Sequence, residues 1–321
     1  MLKILIIRLS SLGDIVHTFP MVYDIKKYLP NCEIDWVVDE SFYDLVKLNP
    51  LVDNIIPIAL RKWKKNFAIF DFIHWIRQNK RNKKYDYIID TQGLIKSSIV
   101  SKCFSGKIHG YTKDSIREKL ASYLYHYKYS IGSYHLAVTK SRILASKIFS
   151  YNIDKSICDF GLKDIKLEIA EISNKNKYII FFHATSKESK KYPIQLWVEL
   201  AKYLIKLYGY NIILPYGSGI EYEDAKTIQK IVNSVNVIIP ERMNYFQLAK
   251  LIEKAEFIFG VDTGLLHLAN ALNKKLIAIY TDTNPEKTGI FESSIAKNIG
   301  GIGIIPSTQE LIENFNNIIK I

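Results

Sequence analysis

The sequence predicts an α/β fold made of two Rossmann-like, doubly wound domains. Its 321 residues exceed what one ordinary hydrophobic core accommodates and fit two domains of about 150 residues each. Short apolar segments alternate with segments of helical spacing, which is typical of parallel sheets covered by helices on both faces. The alternation stops at a polar stretch, residues 151–177, and then starts again. We therefore expect domains at residues 1–160 and 161–321.

The elements of the first domain follow from short apolar runs that end at polar or turn residues. The first run leads into SSLGD at residues 10–14, and the run YIID leads into TQG at residues 91–93. Strands are predicted at residues 3–9, 33–38, 55–58 and 87–90, and helices at 15–29 and 41–48.

The second domain repeats this alternation without repeating the sequence. Strands are predicted at residues 178–183, 211–215, 235–239, 257–262 and 276–280, and helices at 194–208, 222–232, 245–255, 264–272 and 308–319. The last helix belongs to this domain or packs back on the first. Two such units are expected to face a cleft, and ligands of such sheets bind beyond the carboxyl ends of the strands.

The composition argues against a membrane-spanning, secreted, disulfide-rich or zinc-binding protein. No run approaches the roughly 18 apolar residues of a membrane-spanning helix. Arg8 and Asp14 argue against a signal peptide at the N-terminus. The three cysteines, Cys32, Cys103 and Cys158, are scattered without CxxC spacing. This argues against a disulfide framework or a zinc site and favours a cytoplasmic location.

Positive charge is concentrated in the first half of the chain. Residues 1–160 contain 25 Lys and Arg against 15 Asp and Glu, a net charge of +10, whereas residues 161–321 contain 19 against 17, a net charge of +2. This imbalance indicates an anionic partner for the first half, such as nucleic acid, an acidic membrane surface or a phosphorylated substrate. A codon bias toward lysine is the alternative explanation.

The segment SSLGD is the first candidate site. Gly13 permits a tight turn, and the helix that begins near Asp14 directs free N–H groups toward the strand end. The Asp14 carboxylate can act as a general base toward a hydroxyl. Asp is also favoured in the first turn of any helix for capping, so the sequence leaves both roles open.

The segment FIFGVDTGLLHLAN, residues 257–270, is the second candidate. A strand ends at Asp262, and Thr263 and Gly264 open a helix that carries His267. Free N–H groups at a helix start, with a hydroxyl and a glycine, suit a pyrophosphate. GxGxxG and P-loop patterns are absent, which argues against an ordinary dinucleotide or P-loop site. Asp262 as a helix cap and His267 as a core histidine are the alternatives.

Two loops at strand ends carry further polar groups. In HATSKESKKYP, residues 183–193, the hydroxyls of Thr185 and Ser186 and the ammonium of Lys190 suit phosphate oxygens, although a solvated turn would look similar. In YGSGIE, residues 216–221, Glu221 is placed to hold ribose hydroxyls, which alone is a weak indication.

A basic and aromatic segment spans residues 61–84. It contains nine basic residues and one acidic residue, interleaved with five Trp and Phe residues. Such an amphipathic pattern indicates binding to a membrane surface or another anion. RNA binding is possible on the same grounds, although no RNP or KH motif accompanies the segment. A core-facing helix with a basic outer face is the alternative.

Together these segments resemble the ADP-heptose:lipopolysaccharide heptosyltransferases of glycosyltransferase family nine, which have the GT-B fold. The resemblance covers nearly the whole chain and rests on SSLGD, IDWVVDE, IPIALRKWKK, DTQGLIK, HATSKESKKYP and GVDTGLLHL, in that order. The sequence around Gly13 is similar to that of heptosyltransferase I enzymes rather than type II. The resemblance implies transfer of L-glycero-D-manno-heptose from ADP-heptose to the Kdo of Kdo-lipid A, in synthesis of the lipopolysaccharide inner core.

The resemblance also implies residue roles. Asp14 is expected to be the general base. Donor contacts are implied for the pyrophosphate at Thr185, Ser186 and Lys190, the ribose at Glu221, the adenine at Met243, and the heptose and phosphates at Asp262, Thr263, Gly264 and His267. Ser186 replaces an expected second threonine but keeps the hydroxyl. Acceptor contacts are implied for Ser10, Gly13, Arg61, Lys64 and Arg117.

The reaction that these roles imply is a single inverting displacement. Lys190 and the helix start at Thr263 would stabilise the departing ADP, so neither a metal nor another cofactor is expected. The expected partners are ADP-heptose, Kdo-lipid A and the anionic inner membrane, met peripherally by a cytoplasmic monomer, with no nucleic acid.

Three alternatives stay open. They are heptosyltransferase II, a nucleotide-sugar epimerase on the same architecture, and a basic membrane- or RNA-binding protein without enzyme activity. The last would leave Asp14, Lys190 and the DTGxxH cluster unexplained.

Overall fold

The protein forms two α/β units, Met1–Ile165 and Lys166–Ile321. The computed structural model describes residues 1–60, 62–63, 69–80, 83–132, 135–162, 177–185 and 187–320. Each unit contains a six-stranded sheet in which all neighbouring strands are parallel. The predicted α/β class with two doubly wound sheets is therefore confirmed.

The first unit follows the strand order of a Rossmann fold. Its strands are β1 Leu2–Ile7, β2 Cys32–Asp39, β3 Asn54–Ile58, β4 Lys84–Asp90, β5 Ser105–Tyr111 and β6 Tyr127–Tyr129. Its described helices are α1 Leu12–Val16, α2 Phe19–Tyr28, α3 Tyr43–Lys47, α4 Ile69–Lys80, α5 Ile95–Lys102 and α6 Ala137–Phe149, with 3₁₀ turns at Glu40–Phe42, Lys113–Ser115 and Lys119–Leu124. The order is β3-β2-β1-β4-β5-β6, so the winding direction reverses between β1 and β4.

The second unit repeats this order. Its strands are β7 Tyr178–Phe182, β8 Asn211–Ile213, β9 Val237–Ile238, β10 Phe257–Val261, β11 Leu276–Tyr280 and β12 Ala296–Gly300. Its helices are α7 Ile194–Tyr208, α8 Gly219–Val232, α9 Tyr245–Lys254, α10 Gly264–Ala271, α11 Pro285–Thr288 and α12 Thr308–Ile319, with a 3₁₀ turn at Glu188–Lys190. The order β12-β11-β10-β7-β8-β9 reverses between β7 and β10.

The central strands are buried because parallel sheets are covered on both faces. The last four residues of β1 and all five residues of β7, β10 and β11 are buried, which explains their unbroken apolar sequences. Helix α12 contributes Leu311, Phe315 and Ile318 to the core of the second unit. The last helix therefore packs within the second unit.

The single helix expected at residues 15–29 is two helices. Helix α1 ends at Val16, and α2 begins at Phe19 with Pro20 in its first turn. Proline lacks an N–H and is tolerated at the start of a helix but not in its interior, so the chain breaks there. The buried Asp24 of α2 then pairs with Arg142 of α6 at 2.7 Å, which joins these two helices. Of the helices in the described ranges, none is long and apolar enough to span a bilayer.

Candidate active site

Several of the predicted site residues lie where each sheet reverses its winding. In the first unit, residues 8–14 follow β1 and residues 91–93 follow β4. In the second unit, residues 183–190 follow β7 and residues 262–264 follow β10. A crevice opens at such a switch point because the flanking connections run to opposite faces of the sheet. The two sets of loops are therefore placed to hold ligands.

Asp14 is held by groups from the end of β1. Its Oδ2 accepts hydrogen bonds from the Ser11 N–H at 3.1 Å and the Ser11 hydroxyl at 2.9 Å. Its Oδ1 forms an ion pair with the Arg8 Nη2 at 2.7 Å. The side chain nevertheless remains 42% exposed. A carboxylate so fixed yet accessible can still receive a proton from a ligand.

The environment keeps Asp14 ionised. Burial acts to raise the pKa of Asp14, but the Arg8 guanidinium, the Ser11 hydrogen bonds and His17 outweigh burial and hold the pKa below its ordinary value. A lowered pKa leaves the carboxylate charged throughout the neutral range. The lowered pKa also makes Asp14 a weaker base than a free carboxylate. Proton transfer to Asp14 therefore depends on the carboxylate being held close to the ligand hydroxyl.

Asp14 lines a cavity of about 220 Å³ within the first unit. Arg8, Arg117 and Lys140 line the same cavity, and Asp14 is the sole carboxylate among its described lining residues. The structure thus brings together Asp14 and Arg117, to which the resemblance assigns different roles. We call this space the Asp14 cavity. Three cations against one carboxylate favour an anionic ligand.

The other residues predicted to contact the acceptor do not line the Asp14 cavity in the described part of the chain. The Ser10 hydroxyl lies 3.4 Å from both the Gln92 Nε2 and the Lys96 Nζ, beside the cavity. Gly13 lies in α1, and its carbonyl accepts the His17 N–H at 2.8 Å. Arg61 and Lys64 fall outside the described residues.

In the described part of residues 61–84, three aromatic side chains face the core. Trp75 is buried and donates its indole N–H to the Pro57 carbonyl at 2.8 Å. Trp63 and Phe72 pack against the same core, whereas Phe70 is 86% exposed. Three aromatic side chains expected at a lipid interface therefore serve the core.

In the second unit, Lys190 and Asp262 meet directly. The Lys190 ammonium lies 2.6 Å from the Asp262 Oδ2, which also accepts a 2.7 Å hydrogen bond from the Thr283 hydroxyl. The Thr185 hydroxyl donates to the Asp262 carbonyl at 3.0 Å. Both members of the ion pair are largely buried. The loops after β7, β10 and β11 are thus joined around one carboxylate.

Thr263 and Gly264 begin helix α10 as predicted. Thr263 is the N-cap residue, and its side chain makes no capping hydrogen bond to the helix. The Leu266 N–H donates to the Thr263 carbonyl at 3.1 Å, whereas the N–H groups before it have no acceptor within the helix. The helix dipole adds partial positive charge at this end. His267 lies one turn further and is buried. Lys190 and this helix start make the region suitable for phosphate oxygens.

Glu221 and Met243 lie further along the second sheet. Glu221 is in the first turn of α8, and its Oε2 accepts the Gly217 N–H at 2.6 Å. Its carbonyl lies 3.0 Å from the His183 Nε2, which ties α8 to the end of β7. Met243 is half-buried before α9, and no described contact ties it to these groups. Ser186 is outside the described residues.

Sequence reasoning missed two contacting residues. Arg8 pairs with Asp14, and Thr283 binds Asp262. Both follow the carboxyl end of a strand, β1 and β11, which was the available signal. Over the described ranges, no group of three or more His, Cys, Asp and Glu side chains is arranged to hold a metal ion.

Comparison with known proteins identifies the family. The profile of glycosyltransferase family 9 (heptosyltransferase) matches residues 73–312. Lipopolysaccharide heptosyltransferase 1 of Pseudomonas aeruginosa is 34% identical over 298 residues, which cover 91% of this chain and 82% of that protein. The structure of E. coli heptosyltransferase WaaC with ADP has a TM-score of 0.89 at 28% identity, covering 99% of this chain and 100% of that one. With ADP-2-deoxy-2-fluoro heptose, WaaC gives 0.86 at 28% identity, covering 98% and 99%. The chain therefore belongs to glycosyltransferase family 9, the heptosyltransferases.

Proposed function

We propose that this enzyme is a type I lipopolysaccharide heptosyltransferase, which moves a heptose from ADP-heptose to the Kdo of Kdo-lipid A. The observation that carries the proposal is Asp14, a single exposed carboxylate in a cavity otherwise charged by Arg8, Arg117 and Lys140. A Kdo acceptor brings both a hydroxyl to deprotonate and carboxylates to bind. The name and ligands of the relatives reported above support the same choice.

The acceptor hydroxyl is deprotonated in the first unit. Its oxygen attacks the anomeric carbon of the heptose, the bond from that carbon to the ADP oxygen breaks, and the proton passes to Asp14. The bonding electrons leave with ADP, and the configuration at the anomeric carbon inverts. Ser10, Gly13 and Arg117 hold the acceptor near Asp14, with Arg61 and Lys64 assigned by the resemblance.

The leaving group is stabilised in the second unit. Thr185, Lys190 and the N–H groups that follow Thr263 bind the pyrophosphate, which balances the charge that develops on ADP. Lys190 is already fixed beside this position by Asp262, so little reorganisation is needed. Met243 contacts the adenine and Glu221 the ribose, while Asp262, Gly264 and His267 surround the heptose. Ser186 adds a second hydroxyl to the phosphate loop.

We place the enzyme in the cytoplasm as a monomer that touches the inner membrane peripherally. Kdo-lipid A is anchored in a membrane with anionic lipid, and the first half of the chain has a net charge of +10. Opposite charges attract over roughly a Debye length, about 8 Å at physiological salt. The enzyme therefore reaches an acceptor that does not leave the bilayer.

The test is incubation with ADP-heptose and one acceptor at a time, followed by mass spectrometry. We expect one heptose to be added to Kdo-lipid A and none to an acceptor that already carries the first heptose. Addition only to the latter would make the enzyme type II. Conversion of the nucleotide sugar without any acceptor would indicate an epimerase, and no reaction in either arm would refute the proposal.

A further inference from the structure

An exposed apolar surface lies beside the Asp14 cavity. On α5, Ile95 and Ile99 are 38% and 46% exposed, and on the 3₁₀ turn at Lys119–Leu124, Leu120 and Tyr123 are 66% and 70% exposed. These four residues, which we call the apolar patch, come from two elements that pack against each other. Large aliphatic side chains gathered in this way on a surface indicate a binding site.

Helical geometry pairs these side chains within each element, and a hydrogen bond joins the two elements. Residues four apart share a helix face, so Ile95 and Ile99 are neighbours. Residues three apart eclipse in a 3₁₀ helix, so Leu120 lies next to Tyr123. The Ile95 N–H donates to the Glu118 carboxylate at 2.7 Å, which ties the start of α5 to the start of the turn. The inner sides of both elements are buried, at Val100 and Ala121 among others.

Basic residues lie close to the apolar patch in the sequence. The exposed ones are Lys96, Lys102, Arg117, Lys119 and Lys128. The Lys128 ammonium lies 5.8 Å from the centre of the Tyr123 ring. Within the described part of the chain, none of the five forms an ion pair with a carboxylate. Of the neighbouring acids, Glu118 already accepts the Ile95 N–H, and Asp114 is exposed on the preceding turn. Among the described residues, these cations near the apolar patch therefore have no carboxylate paired with them.

We infer that the apolar patch docks on an anionic lipid surface and presents the Asp14 cavity to it. Acidic headgroups attract the lysines, while aliphatic side chains gain by entering the acyl boundary and tyrosine favours the interface. A second copy of this chain would bring the same cations into contact, which opposes self-association. Nucleic acid would satisfy the lysines but offers little to isoleucine and leucine, because bases stack on aromatic rings.

The position of the apolar patch indicates how a lipid-linked acceptor would reach the Asp14 cavity, so this inference rests on the proposed function. Arg117 is one of the five basic residues named above and also lines the Asp14 cavity. Lys96, from α5, reaches the Ser10 hydroxyl at 3.4 Å. A sugar attached to a lipid would therefore emerge from the headgroup layer next to the base. In the described part of residues 61–84, Trp63 and Trp75 pack against the core and are unavailable for the apolar contact.

The test is sedimentation with sucrose-loaded vesicles of phosphatidylglycerol and phosphatidylcholine at physiological salt. The variant Leu120→Gln with Tyr123→Gln should lose at least about tenfold in partitioning, since two large apolar side chains no longer enter the lipid. The matched control is Ile302→Gln with Ile304→Gln, whose side chains are 67% and 60% exposed in the second unit. It should bind within about twofold of the parent chain. Parent binding to phosphatidylcholine alone should be at least about tenfold weaker.

Vesicle binding requires no sugar substrate, so its outcome is separate from that of the proposed reaction. Thermal melting checks that the patch variant is folded, and Ile99→Gln serves if it is not. Transfer to a water-soluble Kdo acceptor should be unchanged in the patch variant, while the KM for the lipid acceptor rises. Equal vesicle binding by the patch variant and the parent chain would overturn the inference. A loss of self-association in sedimentation velocity without a change in vesicle binding would also overturn it, by identifying a contact between copies.

Discussion

Ser11 and Arg8 hold the Asp14 carboxylate, and part of the side chain remains accessible. Ser11 binds one of its oxygens as part of the start of α1, and Arg8 pairs with the other. Each carboxylate oxygen has two lone pairs, so these contacts leave capacity for a ligand hydroxyl. The helix cap and the proposed base are therefore the same group, and a substitution must be chosen to separate the two roles.

Asparagine at position 14 separates the role of Asp14 as a base from its role in holding the start of α1. Asp14→Asn keeps a carbonyl oxygen that can accept the Ser11 N–H from the third helical position. It cannot take a proton, so we expect turnover to fall by about 10²–10⁴-fold while ADP affinity and melting temperature change little. Initial rates, ADP titration and thermal melting measure the three quantities. Ser11→Ala is the comparison, because it removes one hydrogen bond to the carboxylate and keeps the carboxylate itself, so turnover should fall far less than in Asp14→Asn. Turnover within a few-fold of the parent chain would reduce Asp14 to a cap.

Arg8 should set the acidic limit of activity. The base works ionised, so activity falls when the pH drops through the pKa of Asp14, which Arg8 helps to hold below its ordinary value. In Arg8→Gln that attraction is gone while the opposing effect of burial remains. The pKa therefore rises, and the acidic limb of the kcat/KM profile should move to higher pH.

The control for this shift is Lys96→Gln, which removes a cation that contacts Ser10 but has no described contact with the carboxylate. Its acidic limb should stay where that of the parent chain lies. If the Arg8→Gln profile kept the parent's acidic limb, proton transfer would not involve Asp14.

At the scale of elements, the 3₁₀ turn at Glu188–Lys190 offers a matched pair of neighbours. Lys190 pairs with Asp262 at the proposed phosphate site, whereas Lys191 pairs with Glu188 and Asp224. Lys190→Ala should weaken ADP binding by about 10–100-fold, the usual effect of losing a hydrogen bond to a charged group. Lys191→Ala should change it by less than about threefold. Calorimetry with ADP measures both, and equal effects would mean that Lys190 only supports the loop.

The sequence predicted best the elements whose burial pattern is simple. The helices at 194–208 and 308–319 match the structure residue for residue, because each carries one apolar face. Strand β5 was missed because its sequence, SGKIHGY, contains two glycines. A Cβ at Gly106 would lie 2.5 Å from the Tyr85 carbonyl, and one at Gly110 would lie 2.4 Å from the Tyr125 ring. Packing that depends on distant residues cannot be read from local propensity.

Strand β12 was missed for a different reason. It is an edge strand with the polar sequence AKNIG, and two of its five residues are buried. An edge strand needs less apolar surface than a central one. The same limit applies to the site. Recognisable motifs contain Asp14, Lys190 and Asp262. The roles of Arg8 and Thr283 become visible only in the structure, where they contact Asp14 and Asp262.

For the whole molecule, the uneven charge predicts an uneven response to salt. The first half has a net charge of +10 and the second +2. Raising the ionic strength from about 0.05 to 0.5 M should increase the KM for a water-soluble Kdo acceptor several-fold more than the KM for ADP-heptose, because exposed charges are screened more than the largely buried Lys190. Steady-state kinetics with each substrate varied in turn measure the difference. An equal rise for both substrates would contradict the assignment of the acceptor to the first half.

The two units carry different parts of the proposed reaction on sheets of identical strand order. The groups assigned to the nucleotide sugar all lie after residue 180, and those assigned to the acceptor all lie before residue 120. On this proposed division, substitutions in the first unit would change the acceptor, while the second unit would keep the activated sugar. Gene exchange that joins the first unit of one family member to the second unit of another would create new donor and acceptor combinations in a single event.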